Sequence, residues 1–288
     1  MEIFLKKIIS ILYSILFTIM SKPQMFTNIK PPKSNKTIKL LAEDKHQYIY
    51  FNADGEPNTY KSDTEIQIIP NHKAREILYI TGPSGSGKSY YAAEYVKKFV
   101  EIFPESEIFL FSRKDSDPAF DNIKEIVRIK IDQKLINAPI DILGECGENT
   151  LLIFDDIDSL DKKYWDVIAK MMYDLLEVGR SYKLYGIMTS HLINSNNKKF
   201  SRIILNESHY VVFFPKTNIK GNIYFLQNYV GMEKDSIKQL LNKPTRALLV
   251  HRFYPNFFMT KHEIGPIESD IVKKEPPKEI KEVPDLIS

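Results

Sequence analysis

The sequence predicts an α/β protein, a mostly parallel sheet flanked by helices with a small β element ahead of it. From Glu76 onward, short apolar runs alternate with segments of helical periodicity, the pattern of strands packed between helices. Between the first such strand and the first such helix lies a glycine-rich turn, and 43% hydrophobic composition over 288 residues supplies a core large enough for one domain of this kind.

Residues 1–20 are strongly apolar, broken by Lys6, Lys7 and a few hydroxyls. The uninterrupted run from Ile8 to Met20 is shorter than the roughly 20 residues that span a bilayer, although its flank brings it near that length. An anchor or membrane contact through 1–20 and a translation start at Met20 or Met25 both remain open. A secretory signal is disfavoured because no small-residue cleavage site follows. Residues 21–36, with Pro23, Pro31 and Pro32, read as a linker. Residues 37–75 carry Tyr48-Ile49-Tyr50-Phe51 followed by Asp54-Gly55, a hairpin signal within a small β element.

The main domain is expected over 76–265. Ile77 to Thr81 is a strand; Ala92, Val96, Phe99, Val100 and Phe103 recur at helical spacing until Pro104. Further strands are expected at Ile108 to Ser112, Leu151 to Phe154, Leu184 to Thr189 and Tyr210 to Phe214. A long helix is expected through Tyr164, Ile168, Met171, Met172 and Leu175, with the methionines and Trp165 filling core or groove. Residues 266–288 mix prolines with lysines and glutamates and read as a disordered tail.

Forty basic against 37 acidic residues give a net charge of only +3, so any contact with nucleic acid must be local. The single cysteine, Cys146, excludes an internal disulfide and a cysteine-built zinc site; it reads as a small loop residue.

Gly82-Pro83-Ser84-Gly85-Ser86-Gly87-Lys88-Ser89 satisfies G-x-x-x-x-G-K-[ST] between a strand and a helix, the Walker A phosphate loop. Its glycines let the backbone curl so that amides point at a β-phosphate, and the helix that follows adds its positive end. Lys88 reaches the β- and γ-phosphates, and the Ser89 hydroxyl is placed for magnesium. The nucleotide-binding set is therefore Gly82, Pro83, Ser84, Gly85, Ser86, Gly87, Lys88, Ser89 and the adjoining Tyr90. Downstream, Leu151-Leu152-Ile153-Phe154-Asp155-Asp156 is an apolar strand ending in two carboxylates, the Walker B pattern. Asp155 is expected to serve magnesium and Asp156 to polarise the attacking water; the alternative is that Asp156 and Asp158 cap the helix near Tyr164. Thr189, Ser190 and His191 close the following strand, and His191 is the candidate sensor of the γ-phosphate. Arg180 and Arg202 are candidates for a cation supplied to the transferring phosphoryl group from a neighbouring subunit; exposed arginines making weak surface pairs are the alternative.

Taken together, ILYITGPSGSGKSYYAAEYV, LLIFDDID, LLEVGRSYKLYGIMTSH and FSRIILNESHYVVFFP resemble the genome-packaging ATPases of poxviruses and other large nucleocytoplasmic DNA viruses, over about residues 75 to 262. The resemblance places the chain with the FtsK and HerA ring pumps of the phosphate-loop NTPases. It implies ATP and Mg2+ as cofactors and a homo-oligomeric ring, pentamer or hexamer. It also implies double-stranded DNA as cargo, a viral capsid or inner-membrane protein as partner, and a place in the virion or the host cytoplasm. It carries phosphate binding onto Gly82, Gly87, Lys88 and Ser89, magnesium and base roles onto Asp155 and Asp156, the sensor onto His191, and the trans arginine onto Arg180 or Arg202. Two positions depart: ring pumps often have glutamine where His191 stands, and histidine where Ser181 follows Gly179-Arg180.

Three other readings compete with this one. Asn242-Lys243-Pro244-Thr245 resembles the guanine-reading N-K-x-D sequence but has threonine for the aspartate, so adenine is the better expectation. A nucleoside or nucleotide kinase would need an acceptor site and lid arginines, neither evident. A nucleotide-binding assembly factor without hydrolysis is opposed by the paired carboxylates. Lys198, Lys199, Lys216 and Lys220 flank strand ends and are candidates for lining a central pore that contacts DNA; solvated loop lysines are the alternative.

Overall fold

The computed structural model describes residues 74–194, 198–253 and 256–267, with 66–68, 70–72 and short strand segments at 28–29, 38–41 and 60–61. The apolar segment 1–20, the Asp54-Gly55 hairpin and residues 268–288 of the expected tail lie outside the described residues, as does the expected linker apart from Asn28 and Ile29.

The chain runs β1 (Asn28–Ile29), β2 (Ile38–Leu41), β3 (Tyr60–Lys61), β4 (Ile66–Gln67), β5 (Ile77–Thr81), α1 (Lys88–Ile102), β6 (Ile108–Ser112), β7 (Ile126–Lys130), α2 (Gln133–Asn137), α3 (Ile142–Glu145) and β8 (Leu151–Phe154). It continues through α4 (Lys162–Tyr173), β9 (Tyr185–Ser190), α5 (Lys198–Glu207), β10 (Tyr210–Phe213), α6 (Ile219–Phe225), α7 (Lys234–Leu241), β11 (Leu248–His251), β12 (Phe257–Met259) and β13 (Glu263–Pro266). The main sheet has the order β3-β13-β12-β11-β10-β5-β9-β8-β6-β7. Its six strands from β10 to β7 are parallel; β11, β12, β13 and β3 extend it antiparallel. A second sheet, β1-β2-β4, is joined to the first where Ile66 N donates to Lys261 O at 2.7 Å.

The central strands are apolar throughout because both faces are covered, and successive residues enter opposite layers. Ile77, Tyr79, Leu152, Phe154 and Met188 pack into one core with Ile168, Met171 and Met172 of α4 and Phe200 and Ile204 of α5. Leu78, Ile80, Leu151, Ile153 and Ile187 enter the other, where Ala92, Val96 and Phe99 present the apolar stripe of α1. That helix ends as Phe103 N returns to Phe99 O, just before Pro104. The long helix expected around Tyr164 is α-helical to Tyr173 and widens into a π-turn over Asp174–Val178. Arg75 binds its end, donating to Leu175 O at 2.7 Å and Leu176 O at 2.9 Å. Trp165 meets Phe200 edge-on. Cys146 is free and half-buried, its thiol pushed up to about 11 chiefly by burial. Among the described residues no helix is long and apolar enough to cross a membrane.

Candidate active site

The loop leaves the C-terminal end of β5 and enters α1 at Lys88. Gly85 (φ 75°) and Gly87 (φ 112°) have left-handed backbone, which side chains disfavour, and the Ser86 amide between them turns back to Pro83 O at 3.1 Å. Such alternation lets amides converge on an anion. At Gly82 the constraint is contact: a Cβ would stand 2.4 Å from Phe214 Cδ2 and 2.7 Å from Ser86 Oγ. The first turn of α1 carries no acidic residue, so its positive end is unopposed at the loop. Lys88 is buried; its Nζ donates to Gly82 O at 2.9 Å and lies 3.4 Å from Asp156 Oδ1. Pro83 and Ser84 are exposed at the loop tip, Ser89 is half-buried, and Tyr90 is 68% exposed.

Between β5 and the strand that ends in the carboxylates lies a single strand, β9. Its Thr189 hydroxyl donates to Asp155 Oδ1 at 2.8 Å and accepts from the Asp156 amide at 2.8 Å. One side chain thereby orients both acidic residues. Gly82 N donates to Ser190 O at 3.0 Å, which ties the same strand to the phosphate loop. Asp155 is 3% exposed, and its Oδ2 accepts from Ser112 Oγ and Lys114 Nζ, each at 3.2 Å. Asp156 sits at φ 49°, sparsely populated for a residue with a side chain and of the kind that recurs at functional sites. Its Oδ2 accepts from Lys114 Nζ at 2.7 Å, while Oδ1 is buried and has no hydrogen-bond partner. Burial opposes the charge of Asp156, yet the hydrogen bond from Lys114 and the charges of Lys88, Lys114 and His191 outweigh it and hold the carboxyl below its usual range. Lys114 itself, despite burial, is pushed up to about 12 by the two carboxylates.

Asp158 does not cap the helix. It accepts from the His191 amide at 3.0 and 2.9 Å and from Leu192 N at 3.1 Å, and its Oδ1 lies 3.1 Å from His191 Nδ1. Asp156 makes no capping bond either. The His191 ring is thus turned so that Nε2 lies 3.8 Å from Asp156 Oδ1. Arg180 and Arg202 are not gathered at this site. Arg180 is exposed in the turn whose Gly179 O receives Leu184 N, just before β9 begins. It therefore stands at the opposite end of the parallel strands from the loop, beside Arg75 and His209. Arg202 is exposed on α5. Of the lysines considered for DNA, Lys216 donates to Leu241 O at 2.9 Å, and Lys199 lies over the ring of Tyr173.

Two participants escaped the sequence reading. Lys114 lies two residues beyond β6, and only the pairing of β6 with β8 brings it to the carboxylates. Arg246 directly follows Asn242-Lys243-Pro244-Thr245; its Nε donates to Ser86 O at 3.0 Å and its Nη2 to Gly85 O at 3.1 Å, bracing the loop from outside. Lys243, the lysine of that stretch, pairs instead with Glu263 at 2.7 Å.

Among the described residues no group of three or more His, Cys, Asp or Glu gathers to hold a metal. An ion bound by one hydroxyl, one carboxylate, phosphate oxygens and water needs no such group, and that is how magnesium is commonly held. The hard oxygen donors at hand, with Asp156 Oδ1 accepting no hydrogen bond, fit an ion of that kind.

A largely parallel sheet with a phosphate loop at one central strand, and paired carboxylates on the next strand but one, defines a phosphate-loop NTPase fold. The chain belongs to the family of the uncharacterized protein V3 of Sputnik virophage, with which it is 41% identical over 189 residues, 65% of this chain and 76% of that protein. No protein-family model matches it. Among solved structures, the pCW3 conjugation coupling protein TcpA, a monomer with ATPγS, is 14% identical, with 86% of this chain and 78% of that chain covered at a TM-score of 0.50. The genome-packaging NTPase B204 of Sulfolobus turreted icosahedral virus 2 is 13% identical, with 68% and 98% covered at a TM-score of 0.45. The likeness to TcpA is one of fold.

Proposed function

We propose that this chain hydrolyses ATP with magnesium and, as a homo-oligomeric ring, pentamer or hexamer, drives double-stranded DNA into a viral capsid. The observation that carries the hydrolytic part is the convergence of Lys88, Asp155 and Asp156 around one oriented hydroxyl, Thr189, at the mouth of a glycine loop. The resemblance of the motifs to packaging ATPases supports the motor, and the virophage relative supports a viral setting in virion or host cytoplasm.

In this reading the loop amides from Gly82 to Ser89 cradle the β-phosphate, and Lys88 leaves the Gly82 carbonyl for the β- and γ-oxygens. Ser89 and Asp155 would hold magnesium, which would supply positive charge to offset that of the phosphates. Asp156, kept ionised by its cationic neighbours, orients and polarises the attacking water through Oδ1, which accepts no hydrogen bond within the chain. His191, its ring fixed by Asp158, faces the same oxygen and reports on the γ-phosphate. Arg180, remote from its own loop, acts on the nucleotide of a neighbouring copy; Arg202 is the second candidate for that role.

Purified chain should release phosphate from ATP faster with duplex DNA than without, and Lys88→Ala should abolish release. Equal turnover with and without DNA would refute the motor. Phosphate appearing on a nucleoside would indicate a kinase, and binding without release an assembly factor. Mixing Arg180→Ala with Lys88→Ala subunits should restore part of the activity; no recovery at any ratio removes the trans assignment.

A further inference from the structure

Lys114 is fastened at its backbone and charged at its tip. Its amide donates to Ser112 Oγ at 3.2 Å, the same hydroxyl that donates to Asp155 Oδ2, and its carbonyl accepts from Arg128 Nη1 at 3.3 Å. The ammonium then bridges Asp155 Oδ2 at 3.2 Å and Asp156 Oδ2 at 2.7 Å. It is the solvent-facing member of the group: its side chain is 44% exposed, against 2% for Asp155 and 16% for Asp156.

An ionised carboxylate accepts about four hydrogen bonds, two at each oxygen. Asp155 Oδ2 already has two, from Ser112 and Lys114, while Oδ1 has one from Thr189. Ser112 and Thr189 are buried on β6 and β9, so an ion that takes Oδ2 has to displace the lysine. Charge sets the same condition. The two carboxylates are matched by Lys114 and by Lys88, which lies 3.4 Å from Asp156 Oδ1. A divalent ion arriving alone meets a balanced set and is repelled by two ammonium groups; one bound to a triphosphate is part of a net anion that attracts both. Asp117, whose Oδ2 is 3.9 Å from the Lys114 ammonium, offers it a second partner.

We propose that Lys114 is an internal counter-cation that keeps a divalent metal off Asp155 and Asp156 until a nucleotide accompanies it. The proposal rests on the phosphate-loop reading and adds a regulation of that site: ion and nucleotide enter together, and the bare ion is refused.

Equilibrium dialysis of Mn2+, a hard ion with the same preference for oxygen as magnesium, tests this on the full chain, without nucleotide and with a non-hydrolysable ATP analogue in both compartments. Without the analogue, Lys114→Met should bind Mn2+ about tenfold or more tightly than wild type, because a unit charge beside the ion is gone. Lys114→Arg should stay as weak as wild type, and adding Asp155→Asn to Lys114→Met should cancel the gain. With the analogue, Lys114→Met should bind Mn2+ at least as tightly as wild type, which also reports that it folds. No gain in Lys114→Met without the analogue, or a gain that survives Asp155→Asn, overturns the proposal. Weaker binding by Lys114→Met in both conditions makes the lysine a support of the site and overturns it as well. Wild type that takes up no Mn2+ even with the analogue refutes the phosphate-loop reading, and this proposal with it.

Discussion

Two carboxylates at opposite ends of the same sheet meet opposite fates. Glu76, just before β5, is fully enclosed and surrounded by neutral donors: the Asn71 amide at 3.1 Å, Tyr95 Oη at 3.0 Å and Tyr210 Oη at 2.9 Å. Desolvation outweighs those bonds, and its pKa is raised to about 7. Asp156, just past β8, is also largely shielded, but Lys114, Lys88 and His191 face it and its pKa is lowered. Neutral donors orient a buried acid without keeping it charged; cations keep it charged, at the cost of holding several like-charged groups together. His209 follows the logic of the Glu76 end: half-buried, and accepting from the Ile77 amide at 3.0 Å, it is lowered to about 3, chiefly by desolvation, and stays neutral. One end of the sheet is thus a fastening and the other an electrostatic site.

The largest expected effect is at the charged end. Lys88→Ala should cut ATP turnover by about 10²-fold or more while leaving the unfolding midpoint near that of wild type; a large loss of stability in the same variant would make Lys88 a structural residue instead. At the neutral end, the shift of Glu76 is a stability statement. Its folded pKa is raised above the unfolded value, so its contribution is complete below about pH 4.5 and is lost as pH rises through about 7. Denaturation of the wild type and Glu76→Gln between pH 4.5 and 8 should diverge by about 3 kcal/mol, the variant gaining at high pH. Parallel profiles would erase the contrast between the two acids.

Smaller effects test the link between the ends. Thr189→Val strips Asp155 Oδ1 and the Asp156 amide of their shared partner and should destabilise by about 1–3 kcal/mol in urea unfolding, with turnover reduced further than stability explains; Thr189→Ser should recover both. Ser112→Ala removes one of three donors to Asp155 and should cost about 1 kcal/mol. An effect of Ser112→Ala as large as that of Thr189→Val would show that the strand between loop and carboxylates has no special part in orienting them.

Much of this was legible in the residue order. Ile77 to Thr81, Ile108 to Ser112 and Leu151 to Phe154 are strands where their apolar runs predicted them, because a strand buried on both faces writes itself as a continuous run. The strand expected at Leu184 to Thr189 is shifted by one residue, and that at Tyr210 to Phe214 ends one residue earlier. The loop motif was readable because its chemistry is local: glycine where φ is positive, a lysine and a serine at fixed spacing. Strand β7 and helices α2 and α3 passed unremarked. The β7 residues are half-buried or exposed at the sheet edge, and the two helices are too short for their periodicity to show.

The site beyond the loop depended on distance through space. The residue order points to His191 rather than Thr189 at the end of its strand; the structure gives the hydrogen bonds with Asp155 and Asp156 to Thr189 and turns His191 toward Asp158 as well as Asp156. Lys114, 41 residues before Asp155, and Arg246, 160 beyond Ser86, carry no motif that marks them.

By itself, then, the sequence determined the α/β class, the phosphate loop and the two acids, since each is encoded in a short stretch whose backbone and side chains act together. Tertiary structure alone decided the order of the strands. That order decided which hydroxyl orients the carboxylates and which ammonium neutralises them, because strand neighbours are chosen by packing of whole faces and not by adjacency along the chain.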